Sequence, residues 1–107
     1  MQVPEIDVEE LARRHADGAT VIDVRQQDEY DAGHVPGARL LPLDELPDRL
    51  DEVPGDGPVL LICKTGGRSL KAAEYLAARG VDAVNVAGGT KGWIAAGEDV
   101  VTGSSPE

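Results

Sequence analysis

Cys63 is the single cysteine of the chain, and its surroundings are those of a nucleophile. Before it runs Val59-Leu60-Leu61-Ile62, the most apolar stretch present, and after it comes Lys64-Thr65-Gly66-Gly67-Arg68-Ser69. A glycine pair removes the Cβ barrier to positive φ, so such a loop can curl until successive backbone N–H groups point at one centre and form an anion cradle. A helix starting near Ser69 adds its positive dipole end, and Lys64 and Arg68 place cationic charge in the same turn. Each contribution favours a thiolate over a thiol, whose unperturbed pKa is about 8.5. The chemistry this favours is that of a reactive thiolate. The plainer alternative is an inert, buried Cys63 at a strand end. A glycine-rich turn flanked by two cations argues against it.

The elements that must position this loop follow from apolar spacing. Val59 to Cys63 reads as the central strand. The segment from Ser69 to Arg79 places Leu70, Ala73, Leu76 and Ala77 on one helical face and stops at Gly80. Upstream, Asp7 is the expected N-cap of a helix carrying Val8, Leu11 and Ala12, with Glu10 closing a capping box and Gly18 ending it. Val21-Ile22-Asp23-Val24 reads as a strand buried on both faces, apart from the carboxylate inside it. Gln26 to Asp31 has room for one or two helical turns before Gly33-His34-Val35-Pro36-Gly37 forbids continuation. A brief strand is expected near Ala38 to Leu41, and a short helix at Leu43, Leu46 and Leu50 that Pro47 must begin or interrupt. Ala83 to Ala87 is a further strand, Gly88-Gly89 turns it, and Thr90 to Ala96 forms a last short helix. Strands alternating with helices predict an α/β domain with a mainly parallel sheet, its helices on both faces.

Composition narrows the function. With 107 residues and 41% apolar content, the chain supports one domain and one core. Residues 1–101 are expected to be that domain, with 102–107 a flexible C-terminal tail. Twenty acidic against 10 basic residues give a net charge of -10, which opposes nucleic acid and anionic membranes as partners. Met1 to Glu5 carries no basic or long apolar segment, so a cytoplasmic protein is expected. One cysteine forbids an internal disulfide, and His15 and His34 lie at no zinc-ligand spacing from it, so neither metal nor cofactor is expected. There is no Phe, which leaves Trp93 as the natural core plug and Tyr30 and Tyr75 as packing residues. His15 is expected on a helix surface.

Three segments together resemble the rhodanese, or thiosulfate sulfurtransferase, family. Val21-Ile22-Asp23-Val24-Arg25 through Tyr30 and Gly33-His34-Val35-Pro36-Gly37-Ala38 is similar to its first signature. Cys63 to Ser69 is similar to its active-site loop, and Gly88-Gly89-Thr90-Lys91-Gly92-Trp93 to its C-terminal signature. The resemblance implies a single rhodanese-like three-layer domain, a five-stranded sheet flanked by helices, and Cys63 as the sulfur-carrying nucleophile. Phosphatases and arsenate reductases on this fold carry five residues between Cys and Arg. Here there are four, and the place where those enzymes have Arg holds Ser69. The smaller ring suits a sulfane sulfur better than a tetrahedral phosphate.

The transfer this implies uses a small anionic donor such as thiosulfate and a thiol or cyanide acceptor, through a Cys63 persulfide. Lys64, Thr65, Gly66, Gly67, Arg68 and Ser69 would bind substrate, their backbone N–H groups stabilising charge on sulfur and Arg68 meeting the donor's sulfonate end. Lys64 is otherwise a solvated surface charge. Asp23 and Arg25, as ionised groups in an apolar setting, should be paired and serve as framework near the loop. His34 sits where a general base is conceivable, but a fold-anchoring hydrogen bond is the simpler role. Ser69 has two compatible roles, capping the helix and bonding the sulfur. Against the enzyme stand two other classes: a persulfide carrier handing sulfur to a partner protein in cofactor or tRNA sulfuration, and a silent regulatory domain. Retention of Cys63 and its cradle argues against the last.

Overall fold

The computed structural model describes residues 3–107. Its elements, in chain order, are β1 (Glu5–Ile6), α1 (Val8–Ala16), β2 (Thr20–Asp23), α2 (Gln27–Ala32), β3 (Arg39–Leu40), a 3₁₀ segment (Leu43–Glu52), β4 (Val59–Ile62), α3 (Gly67–Ala77), β5 (Ala83–Val86) and α4 (Gly89–Ala95). The five strands form one sheet in the order β1-β5-β4-β2-β3, and every pairing is parallel. β4 is therefore central, as its apolar run predicts, and all four of its residues are buried. The strand that the sequence pattern does not announce is β1. Two residues carry no periodicity, and Glu5–Ile6 becomes a strand only by pairing with Asn85 and Val86.

Alternation along the strands divides the interior into two apolar clusters. Ile22, Val24, Val59, Leu61, Cys63 and Ala83 face Ala72, Ala73 and Leu76 of α3 and Leu46 of the 3₁₀ segment. Val21, Leu60, Ile62, Val84 and Val86 face Leu11 of α1 and Trp93 of α4. The domain is thus three layers, and Cys63 lies on the α3 side. Register brings Asp23 beside Ile62 and Asn85 beside Leu61, so a polar residue flanks the C-terminal end of β4 on either side.

Local differences from the expected elements have simple causes. Asp7 caps α1 by accepting Glu10 N–H at 2.9 Å, but the Glu10 carboxylate turns to Arg13 and Arg14 instead of closing a capping box. The Leu43–Glu52 stretch is 3₁₀ with Pro47 inside it and a break at Arg49 (φ -128°, ψ 28°), because proline supplies no N–H to a regular α-helical ladder. α3 begins at Gly67, two residues ahead of the expected Ser69, so Arg68 and Ser69 occupy its first turn. His15 is not free on a helix surface. Its Nε2 lies 2.7 Å from the Pro36 carbonyl, and its ring meets Trp93 edge-on at 5.5 Å.

Residues 102–107 fold back on the domain through their main chain. Gly37 N–H donates to the Pro106 carbonyl at 2.9 Å and Gly103 N–H to Asp31 at 2.8 Å, while the Ser105 carbonyl sits 3.0 Å from His34 Nε2. Backbone contacts of this kind leave no trace in composition, which is why the segment reads as a loose tail.

Trp93 is 2% exposed and is the one large aromatic in its cluster; its indole N–H donates to the Asp99 carbonyl at 2.8 Å. Truncating a buried aromatic costs about 3–5 kcal/mol. Trp93→Ala should lose that much in denaturant unfolding, a large part of what such a domain has. A loss below about 1 kcal/mol would contradict the packing assigned to it.

Candidate active site

Cys63 follows the last residue of β4, and its side chain is buried at the start of the loop into α3. Gly66 makes the turn: its φ of 114° is left-handed, a conformation cheap only for glycine. With the chain turned there, Gly66 N–H donates to Cys63 Sγ at 3.1 Å. The Ser69 hydroxyl reaches the same sulfur at 3.3 Å. Burial opposes ionisation of the thiol, but the Ser69 hydroxyl and the backbone N–H groups of Ser69, Gly66 and Thr65 outweigh it and hold Cys63 below the ordinary thiol range. The donors are mostly main chain, so the cradle needs the loop's conformation more than its side chains.

That conformation is clamped from behind by α4. Thr90 N–H and the Thr90 hydroxyl both donate to the Cys63 carbonyl, at 2.8 and 3.0 Å, and Lys91 N–H donates to the Lys64 carbonyl at 3.0 Å. Such proximity requires Gly89, where a Cβ would stand 2.4 Å from the Lys64 oxygen and 2.6 Å from the Cys63 oxygen. The Gly88-Gly89 pair is thus a close-approach device as well as a turn.

Two ion pairs border the loop. Arg25 Nε and Nη2 grip the Asp23 carboxylate at 2.8 to 3.1 Å, and Nη2 also donates to the Gly33 carbonyl at 2.8 Å. Both residues are buried, so the charge expected to need a partner in β2 has one. The second pair joins α3 to α2: Arg68 Nη1 and Nη2 donate to Glu29 Oε1 and Oε2 at 2.7 and 2.9 Å. Hydrogen bonding from Arg68 lowers the Glu29 pKa to about 2 despite partial desolvation, and Gln26 N–H assists. The guanidinium expected to meet the donor is therefore already engaged by a carboxylate. Lys64, by contrast, is exposed and makes no ion pair among the described residues.

His34 lies away from the sulfur. Its ring stacks on Tyr30 at 3.6 Å, and its nitrogens face the carbonyls of Tyr30 at 2.8 Å and Ser105 at 3.0 Å. It anchors the turn after α2. Thr65 and Gly67 are exposed loop positions. The residues that sequence reasoning passed over are Glu29, Asn85, Thr90 and Glu5. Asn85 had a usable signal, being a lone amide inside an apolar strand, the same anomaly that singled out Asp23. Glu29 had none, because one acidic residue on a short helix looks like any solvated charge.

The molecule is a three-layer parallel α/β domain with a buried cysteine in an N–H cradle beyond its central strand. Residues 7–96 match the Rhodanese-like domain family, and the chain belongs to it. It is 38% identical over 102 residues to a protein of Allochromatium vinosum named "Sulfurtransferase", covering 92% of this chain and 95% of that one. It is 37% identical over 86 residues to "Thiosulfate sulfurtransferase GlpE" of Pseudomonas putida, covering 79% and 78%. Among solved structures, a rhodanese-related protein from Thermoplasma volcanium superimposes with a TM-score of 0.85 at 32% identity, over 92% of this chain and 97% of that one. The Allochromatium and Pseudomonas relatives both carry the name sulfurtransferase, and the match to each spans most of its length.

Because the Cys63 pKa is lowered, its thiolate should persist below the pH at which a free cysteine protonates. Alkylation by iodoacetamide should rise with pH through a midpoint below that of a small-molecule thiol. Ser69→Ala, which removes one donor to the sulfur, should move the midpoint upward. A midpoint at the free-thiol value in the parent protein would contradict the cradle.

Proposed function

We propose that the protein is a thiosulfate sulfurtransferase that works through a Cys63 persulfide. The observation that carries this reading is the buried sulfur of Cys63, which receives N–H from Gly66 and O–H from Ser69. In the first half-reaction the Cys63 thiolate attacks the outer sulfur of thiosulfate; the donor's S–S bond breaks and sulfite departs with the electron pair. The persulfide carries its negative charge on the outer sulfur, which the N–H groups of the loop can receive as an oxyanion hole receives oxygen. A nucleophilic acceptor, cyanide or a thiol, then takes that sulfur and returns the thiolate. Such chemistry needs a reduced thiol, which suits the reducing cytoplasm.

Roles for the cations follow from their pairing. Lys64, one of two lysines beside the loop that make no ion pair among the described residues, the other being Lys91, is assigned to the sulfonate end of the donor. Arg68 acts first by neutralising Glu29, whose carboxylate would otherwise repel an incoming dianion. A second reading, a carrier that delivers its persulfide to a partner protein, is favoured by one observation. A cleft of about 300 Å³ beside the loop is lined by Lys64, Lys91, Thr90, Glu29, Ala32 and Ile94, and Ile94 is 53% exposed. Fast turnover with thiosulfate and cyanide supports the enzyme; a single loading without turnover supports the carrier.

Intact mass after thiosulfate treatment should rise by one sulfur atom, and Cys63→Ser should neither gain that mass nor transfer sulfur. A folded Cys63→Ser protein transferring sulfur at the parent rate would sink the assignment.

Arg68→Ala should lower the second-order rate with thiosulfate by about tenfold, the size expected for losing a charged partner. The double variant Arg68→Ala/Glu29→Gln should recover most of it. No recovery would mean that Arg68 touches the donor directly and that its pairing with Glu29 is incidental.

A further inference from the structure

Asn85 is 1% exposed on β5, under the first turn of α3. Its Oδ1 accepts the Ser69 hydroxyl at 2.6 Å, while its Nδ2 donates to Glu5 Oε2 at 2.7 Å and to the Gly66 carbonyl at 3.3 Å. A carboxylate and a carbonyl only accept, so turning the amide over would set its oxygen against both. Glu5, on the edge strand β1, thereby fixes which way the buried Asn85 faces.

The Ser69 hydroxyl carries one proton and has two takers. Asn85 Oδ1 lies at 2.6 Å, at the short end of O–H···O bonds, and Cys63 Sγ lies at 3.3 Å. A neutral thiol sulfur is a weak acceptor, so while Cys63 is protonated the proton rests on the Asn85 side. The Ser69 oxygen then presents its lone pairs to the sulfur and can accept the S–H. Loss of the thiol proton to solvent reverses the demand, since a thiolate needs a donor. Ser69 can supply it only by giving up Asn85.

We infer that Asn85 is a positioning residue: it competes with Cys63 for the single hydroxyl proton of Ser69 and so makes Ser69 an acceptor toward the thiol and a donor toward the thiolate. The inference rests on Cys63 being the reacting thiol. The other charged groups around the loop are Lys64, the Arg68–Glu29 pair reaching to α2, the Asp23–Arg25 pair from β2, Lys91 on α4 and Glu5 on β1. A change at Asn85 touches only Glu5 among them, which loses the Nδ2 bond and stays at the exposed sheet edge.

The test is the pH profile of Cys63 alkylation by iodoacetamide in Asn85→Leu, Ser69→Ala and the double variant. Asn85→Leu removes the competing acceptor at similar volume, and Gly66 O keeps its bond from Leu70 N–H at 3.1 Å. Its midpoint should move to lower pH, with alkylation on the acid side about fivefold faster, the equivalent of one hydrogen bond. Added to Ser69→Ala, the same change should move nothing further. An unmoved midpoint in Asn85→Leu, or an equal shift without the Ser69 hydroxyl, overturns the proposal. Should Asn85→Leu fail to fold, Glu5→Leu at the exposed edge frees the amide to turn; a smaller shift in the same direction that vanishes when Ser69→Ala is added supports the proposal, and no shift, or one that persists without the Ser69 hydroxyl because it comes from the lost charge, overturns it. Thiosulfate loading is scored separately by mass, so failure of sulfur transfer with these shifts intact would count against the proposed function alone.

Discussion

The Cys63 carbonyl accepts two hydrogen bonds from Thr90, and Lys91 N–H holds the next carbonyl along. This clamp sits where the central strand ends, and the geometry at the sulfur depends on it. A loop leaving a parallel strand has no cross-strand partner to fix its direction. Here the first peptide groups of α4 supply one, and the gap they close is too narrow for any side chain at residue 89. With the carbonyls of Cys63 and Lys64 held from behind, the N–H of Gly66 turns forward to Sγ. The crossover from β4 through α3 and β5 brings α4 back to that end, so the clamp belongs to the parallel topology itself.

Electrostatics at the site works on two scales. The chain as a whole carries -10, a field that opposes the approach of any anion. At close range the carboxylates nearest the loop are neutralised: Asp23 by Arg25 and Glu29 by Arg68. The backbone donors and Lys64 then act with Glu5, held by the Asn85 amide, as the carboxylate near the loop without a cation partner among the described residues. The Glu29 pair also has a defined pH window. Its folded pKa is depressed to about 2, so its stabilisation is complete above the ordinary carboxylate range and is lost as pH falls through the depressed value. Across neutral pH the neutralisation of Glu29 is constant. Variation in reactivity there is left to the thiol and its donors.

The core explains why so small a domain can hold a buried polar centre. Without Phe, the interior is built from Val, Leu, Ile and Ala, which pack on both faces of the sheet in alternating register. The same alternation that buries Leu60 and Ile62 against Trp93 sends Cys63 to the α3 side, where Ser69 and Asn85 meet it. Each buried polar atom there is satisfied: among the described residues no buried side-chain nitrogen or oxygen lacks a partner. Low dielectric strengthens such a network as long as it is complete.

The sequence by itself determined the central strand, α3, the parallel α/β class and Cys63 with its loop, because apolar periodicity and glycine placement are local signals. It also required a partner for Asp23, since a carboxylate inside an apolar strand cannot stand alone. Other features were decided only by tertiary structure. Glu5–Ile6 is a strand solely because β5 offers it an open edge. Residues 102–107 are attached largely through backbone groups that every sequence has, with the Ser104 hydroxyl donating to Asp31 as a side-chain addition. Arg68 meets Glu29 across 39 positions of chain, which turns a guanidinium legible as a donor clamp into half of an ion pair. Asn85 reaches Ser69 by strand register. Periodicity tells which face of an element is buried, but a hydrogen bond between two elements depends on their relative placement to within a few tenths of an ångström, and that is settled only when the whole core packs.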